Sequence, residues 1–198
     1  MATKMVMKKA DRMVVNMTKL DKLNKKIIDC TKCANNCIIN LPQPGYFCGN
    51  ILFVLQNPGI PATDAVKAEL MKRNDYKQFQ DSYKNTIQKC YMGKFISLIV
   101  DDWSKISITN VVKCPTPKNK FPTFSVISNC FGYLHKQIDL LSPKLIVCVG
   151  ALSKSVIYTD EFKHYERIEI PHYSYINRLY ANPFIFVNKV KAAIEKVL

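Results

Sequence analysis

The sequence predicts an α/β fold of three layers, in which helices cover both faces of a central, mainly parallel sheet of four strands. Short apolar runs rich in β-branched residues alternate along the chain with longer segments that have helical spacing. Three of the runs are apolar along most of their length, which is typical of parallel strands buried on both faces. We predict strands at residues 51–55, 106–112, 144–149 and 167–170.

Helical spacing of apolar residues predicts five helices. They lie at about residues 18–29, 64–80, 84–100, 124–141 and 186–197. The chain has 198 residues, 48% of them hydrophobic, so we expect one domain over residues 1–198, with a basic segment and a helix in residues 1–29. Open parallel sheets bind ligands at the carboxyl ends of their strands, so we expect the functional residues in the loops that follow the strands.

The chain is strongly basic, with 29 Lys and Arg against 15 Asp and Glu and a formal charge of +14. This surplus favours a phosphate-backbone partner over a small-molecule substrate or a basic surface without a partner. Ten Tyr and ten Phe are available to stack on bases. No run has the length of a membrane span, and the opening lacks the apolar core of a signal peptide. We therefore expect a cytoplasmic protein that binds nucleic acid and no membrane, with a monomer as the default.

Eight cysteines in a cytoplasmic chain indicate metal ligands better than disulfides. The motif Cys-Thr-Lys-Cys at residues 30–33 places two thiols one turn apart, a spacing that zinc, iron-sulfur and redox sites share. Two assignments stay open on spacing alone. Either Cys37 and Cys48 complete a local zinc site, or Cys114 and Cys130 join the motif from the second half of the chain.

Ordered motifs along the chain resemble family 4 of the uracil-DNA glycosylases. Residues 108–123 read Ile-Thr-Asn-Val-Val-Lys-Cys-Pro-Thr-Pro-Lys-Asn-Lys-Phe-Pro-Thr, similar to the family segment I-T-N-V-V-K-C-R-P-P-x-N-R-x-P-T. Other family motifs have counterparts in the same order. C-x-K-C is matched at residues 30–33 and V-M-F-V-G-E-A-P-G at residues 51–59, and the Cys that the family has 15 residues after its long segment's Cys is matched at residue 130. P-K-L-I-V-x-x-G-A is matched at residues 143–151 and H-P-x-Y-L-L-R at residues 172–178.

The resemblance decides between the two cysteine assignments. It implies that four cysteines hold a [4Fe-4S] cluster: Cys30, Cys33, Cys114 and Cys130. We expect the cluster to have a structural role, because it would clamp the amino-terminal helix to the long loop after the second strand. A redox role is the alternative. We expect this clamp to place Lys113, Lys118 and Lys120 near DNA.

The resemblance also implies a DNA glycosylase that flips a base out of the helix, hydrolyses its N-glycosidic bond and leaves an abasic site. It assigns Asn110 to the edge of uracil, where the side-chain carbonyl accepts from N3–H and the amide NH2 donates to O4. It assigns His172 to donate to O2 as negative charge develops on the departing base. Gln56 and Gly59 would line the substrate site.

The first loop departs from the family pattern. Where family 4 has Glu-Ala-Pro-Gly, this chain has Gln56-Asn57-Pro58-Gly59, so the carboxylate associated with water activation is missing. Asn57 resembles the x-N-P-G loop of the mismatch-specific and single-strand-selective branches, in which an amide holds the attacking water. We expect Asn57 to be catalytic, with Asp64 as a candidate replacement carboxylate. The alternative is that this loop has lost catalysis.

Two residues are candidates for the aromatic that would stack on the base. Tyr83 lies about as many residues before Cys114 as the stacking Phe of the family, and Tyr91 has the local pattern Tyr-Met-Gly, which resembles the family's F-V-G. Either could instead be a core aromatic. Arg178 is expected to contact the substrate strand. Relative to family 4, the chain also has an insertion around residues 67–80, next to the predicted base pocket.

Because of this insertion and the altered first loop, two other functions stay open. One is excision of a bulkier modified cytosine from viral DNA in genome defence. The other is a catalytically silent DNA-binding module stabilised by metal.

Overall fold

A computed structural model describes residues 9–33, 42–59, 76–179, 182 and 184–198 of the chain. Its sheet has five strands in the order β1-β3-β2-β4-β5. The strands are β1 (Tyr46–Phe47), β2 (Ile51–Leu55), β3 (Ile106–Asn110), β4 (Leu145–Val149) and β5 (Arg167–Ile170). Strands β2, β3, β4 and β5 run parallel to one another, whereas β1 pairs antiparallel with β3 at the edge of the sheet. The α/β class is confirmed, and the predicted count of four strands is corrected to five.

The sheet is buried on both faces because its strands alternate apolar side chains between two cores. In β2, Ile51 and Phe53 belong to one core, and Leu52 and Val54 belong to the other. All four side chains are fully buried. A strand of this kind is stable only between two layers of helices, which is why its apolar run predicted a parallel sheet.

Seven helices in the described part of the chain supply these layers. They are α1 (Lys9–Ile28), α2 (Tyr76–Lys89), α3 (Tyr91–Ser97), α4 (Phe124–Leu141), α5 (Ala151–Ile157), α6 (Tyr173–Leu179) and α7 (Phe184–Val197). Side chains of α4 and α5 and Leu20 of α1 pack into one core. Side chains of α2, α3, α6 and α7 pack into the other, together with Ile28 at the end of α1. The three-layer arrangement is therefore confirmed.

Several predicted boundaries differ from the structure. The helix predicted at 84–100 is divided at Cys90, whose extended backbone (φ −85°, ψ 168°) separates α2 from α3. The strand predicted at 106–112 ends at Asn110. The helix predicted at 64–80 lies largely outside the described residues, and helices α5 and α6 were not predicted.

Among the described residues, no helix is both long enough and apolar enough to cross a membrane.

Candidate active site

A cavity of about 520 Å³ opens at the carboxyl ends of the parallel strands. The loop after β2, the last residue of β3, the turn after β4 and the loop after β5 all contribute to its wall. The parallel pairing of β2 with β3 and β4 brings these strand ends to one edge of the sheet. Asn57, Asn110 and His172 therefore line the same cavity.

The loop after β2 holds the Asn57 side chain in one orientation. Gln56 Nε2 donates to Asn57 Oδ1 at 2.8 Å, and Asn57 Nδ2 donates to the Pro58 carbonyl at 3.0 Å. A side-chain amide has two hydrogens and two acceptor lone pairs, so one of each is left for a water or a substrate. Gln56, Pro58 and Gly59 also line the cavity.

Asn110 is buried at the end of β3, where only 2% of its surface is exposed. Its Nδ2 donates to the Tyr83 hydroxyl at 3.4 Å, across the cavity wall from α2. Burial raises the pKa of Tyr83, so the phenol stays neutral at physiological pH.

The two aromatic candidates lie in different environments. Tyr83 is buried and lines the cavity, whereas the Tyr91 side chain is 69% exposed and is not part of the cavity wall. The structure therefore places Tyr83, and not Tyr91, in the wall of the cavity.

His172 is held with one ring nitrogen fixed by the start of α6. The Ser174 backbone N–H points at His172 Nδ1 from 3.4 Å, and the Ser174 hydroxyl lies 2.8 Å from the same nitrogen. A ring nitrogen that faces a backbone donor must accept, so we assign the proton of the neutral ring to Nε2. Burial, and then the positive charge of Arg178, lower the pKa of His172 below its usual value. The neutral imidazole is therefore a hydrogen-bond donor through Nε2.

Gly150 allows the turn after β4 to pass close to His172. It adopts φ 89°, and a Cβ added there would lie 3.4 Å from the His172 Cβ. Glycine is the residue that adopts such a backbone without strain. Both Gly150 and His172 line the cavity.

Ser174 was missed by the sequence reasoning, although it also lines the cavity. The only signal in the sequence was its position two residues after His172. Serine is common at the start of helices, so this position alone did not indicate a role in the site. Arg178 does not line the cavity: it is exposed, and its Nε donates to the Ser174 carbonyl at 2.9 Å. The candidate carboxylate Asp64 lies outside the described residues.

Comparison with known proteins shows the family of the chain. A model of the uracil DNA glycosylase superfamily matches residues 44–197. The chain belongs to this superfamily. The match includes the four parallel strands and every described residue of the cavity wall.

Relatives of this superfamily member include two archaeal proteins named type-4 uracil-DNA glycosylase. That of Sulfurisphaera tokodaii is 28% identical over 157 residues, which cover 77% of this chain and 64% of the relative. That of Archaeoglobus fulgidus is 29% identical over 144 residues, which cover 72% of this chain and 65% of the relative. A type-5 uracil-DNA glycosylase of Pyrobaculum aerophilum is 33% identical over 67 residues, 31% of this chain and 29% of the relative. The chain thus spans just under two thirds of the first two relatives.

Lys113 is a buried residue in this superfamily member, which corrects the expectation that it contacts DNA. Only 1% of its surface is exposed. Its Nζ donates to Thr109 Oγ1 at 2.8 Å, to the Asn110 carbonyl at 2.6 Å and to Gln137 Oε1 at 2.6 Å. Burial lowers the pKa of Lys113 to about 7, against the opposing effect of Cys130. Lys113 thus ties the end of β3 to α4.

Four cysteines line a second, smaller cavity between α1, the loop after β3 and α4. They are Cys30, Cys33, Cys114 and Cys130. Two donors point at their sulfur atoms: Lys113 N–H lies 3.5 Å from Cys130 Sγ, and Asn129 Nδ2 lies 3.3 Å from Cys33 Sγ. Within the residues that the structure describes, no three Cys, His, Asp or Glu side chains are close enough to hold a single metal ion.

The local zinc site is not supported by the position of Cys48. The Cys48 backbone N–H donates to Ser107 Oγ at 3.1 Å, so Cys48 lies at the amino-terminal end of β3. Cys114 follows the opposite end of the same strand. Cys37 lies outside the described residues.

Proposed function

We propose that this chain is a monofunctional DNA glycosylase that hydrolyses the N-glycosidic bond of uracil, or of a related modified pyrimidine, and leaves an abasic site. The observation that carries the proposal is the convergence of Asn57, Asn110 and His172 on one cavity at the strand ends. Superfamily membership supports the same chemistry. Among the described residues that line this cavity there is no Lys, so this part of the wall offers no amine nucleophile for a lyase step.

Asn110 is the residue proposed to read the base. Its side chain is buried and bonded to the Tyr83 hydroxyl, so a flipped base meets an amide that is already oriented. One amide hydrogen remains to donate to O4, and Oδ1 can accept from N3–H. Tyr83 supplies the neighbouring aromatic surface.

His172 and Asn57 are proposed to act on the bond itself. The His172 Nε2 proton would be donated to O2 as charge builds on the departing base, an interaction that is stronger in the transition state than in the ground state. Asn57 would hold the water that attacks the sugar. An amide is a weak base, but a dissociative reaction needs the water placed more than it needs the water deprotonated.

We propose that the four-cysteine cavity holds a [4Fe-4S] cluster. The chemistry of the donor set fits, since four thiols line one cavity and amide donors are aimed at two of the sulfurs. A cluster in which each iron takes one thiolate spreads its ligands further apart than a single zinc ion does. Such a group, when bound, would supply a structural link between α1, the loop after β3 and α4.

A panel of substituted oligonucleotides tests the proposal. Labelled strands that contain uracil, hypoxanthine or modified cytosines are incubated with the protein and then cleaved with alkali at abasic sites. Strand cleavage at uracil is the expected result. Cleavage only at a modified cytosine would reassign the substrate, and no cleavage of any strand would contradict the glycosylase proposal.

A further inference from the structure

Two phenylalanines are exposed where the segment after β3 leads into α4, the second of them being the first residue of that helix. Phe121 is 64% exposed and Phe124 is 85% exposed. Large aromatic side chains are normally buried, because leaving each in water forfeits a large hydrophobic free energy. Two exposed aromatics within four residues of sequence therefore indicate a binding surface. We name residues 116–124 the flanking loop.

The flanking loop is positively charged as well as aromatic. Lys118 and Lys120 are both exposed and lie three residues and one residue before Phe121. No Asp or Glu occurs in the sequence between Asp102 and Asp139. A segment that has exposed lysines and aromatic side chains and no acidic residue has the composition that binds a nucleic acid backbone and stacks on its bases.

The flanking loop borders the active-site cavity. Asn119, between the two lysines, is part of the cavity wall. A DNA strand whose target base enters the cavity therefore passes beside the loop. The same continuity disfavours an unrelated protein partner, which would compete with the DNA for this border.

The backbone of the loop is held in a strained conformation. Lys118 and Asn119 have φ of 53° and 52°, in the left-handed region that non-glycine residues rarely adopt. Thr116 stabilises this turn, since its carbonyl accepts from Asn119 N–H at 3.0 Å and its hydroxyl donates to the Lys120 carbonyl at 2.7 Å. The turn thus presents its side chains in a preorganised arrangement.

We infer that the flanking loop binds single-stranded DNA next to the flipped nucleotide, with neighbouring bases stacked on Phe121 and Phe124 and phosphates paired with Lys118 and Lys120. In a duplex, the faces of the neighbouring bases are already stacked on each other, so the phenylalanines have full access only to unpaired bases. This inference rests on the proposed function for its target base and adds a preference for unpaired strands.

Fluorescence anisotropy tests the inference with DNA that carries no target base, so that binding is measured apart from excision. The wild-type protein is expected to bind a labelled single strand more tightly than the same sequence in a duplex. The double variant F121A/F124A should bind the single strand on the order of tenfold more weakly and lose the preference. The variant F184A, which removes an exposed Phe (53%) from the start of α7, is the matched control and should retain it.

A second variant separates aromatic stacking from apolar contact. F121L/F124L keeps apolar side chains without aromatic faces and should resemble the alanine variant. Equal losses on single strand and duplex, or no loss on either, would overturn the inference. If F121A/F124A has a lower melting temperature than the wild-type protein, the single-strand affinity of F121L/F124L is the measurement that tests the inference.

The lysines are tested by the salt dependence of single-strand binding. K118Q and K120Q should each reduce the slope of log K against log salt by about 0.7, the value for one phosphate contact on a single strand. An unchanged slope would show that neither lysine contacts a phosphate. If the wild-type protein excised no base but showed these binding effects, the proposed function would fail while the DNA-binding surface stood.

Discussion

At the scale of single residues, the environment of His172 sets its protonation state. Burial, followed by the nearby Arg178 charge, lowers the pKa of His172 below 6.5. Nuclear magnetic resonance titration of the imidazole should therefore give a midpoint below that value. R178Q removes the positive charge and should raise the midpoint, whereas K191Q on α7 should leave it unchanged. A midpoint above 6.5 in the wild-type protein would contradict the assignment of a neutral donor.

The same shift predicts a direction for stability. With a lowered folded-state pKa, the folded protein binds fewer protons than the unfolded chain just below pH 6.5. The contribution of His172 to the free energy of unfolding should therefore be unchanged well above pH 6.5. It should decrease as the pH falls from 6.5 through the lowered folded-state pKa. Urea denaturation of the wild-type protein and of H172N across this range measures the difference.

The two tyrosine candidates make opposite predictions. Y83A removes the ring that lines the cavity and the hydroxyl that contacts Asn110, so kcat/KM for excision should fall by roughly tenfold or more. Y91A removes an exposed ring and should leave kcat/KM close to the wild-type value. A larger loss for Y91A than for Y83A would show that the base stacks elsewhere.

At the scale of elements, the junction of β3 with α4 depends on a buried lysine. K113M keeps the apolar stem and removes the ammonium group that bonds to the Asn110 carbonyl and Gln137 Oε1. Acceptors left without this donor should lower the free energy of unfolding by about 1–3 kcal/mol, measured by urea denaturation. K136M, at an exposed position of α4, is the control. Equal stability of the two variants would contradict the role given to Lys113.

The sequence predicted those elements whose pattern is a consequence of burial. Strand β2 and helix α4 have the predicted bounds. An unbroken apolar run fits a strand buried on both faces, and a long amphipathic repeat fits a helix packed against the sheet, so each pattern marks where its element begins and ends. Strand β1 has two residues, too few for any pattern. The prediction extended β3 through Val111 and Val112, which are buried but lie beyond the strand. Apolar composition indicates burial and does not by itself indicate a strand.

The site was predictable to the extent that motifs name residues at strand ends. Asn57, Asn110 and His172 each follow or end a parallel strand, and parallel strands end at one edge. The choice between Tyr83 and Tyr91 needed the break at Cys90, which no local pattern marks. The burial of Lys113 depends on Gln137, a partner 24 residues away, so its position in a basic segment misled the prediction.

At the scale of the whole molecule, the four cysteines of the second cavity come from distant parts of the chain. If they hold a [4Fe-4S] cluster, anaerobically purified protein should be brown and contain iron and acid-labile sulfide. C130S should lose iron and melt at a lower temperature, because the link between α1, the loop after β3 and α4 is broken. C48S, at the other end of β3, should retain both properties. A colourless wild-type protein that contains zinc would contradict the cluster.

The account as a whole depends on a single cavity in which His172 acts on a base held by Asn110. Single-turnover excision by H172A, measured beside its affinity for DNA, tests this most directly. Loss of one transition-state donor should slow excision about 100- to 1,000-fold while the dissociation constant for DNA stays unchanged. Equal losses in rate and affinity, or undiminished excision, would contradict the role of this cavity.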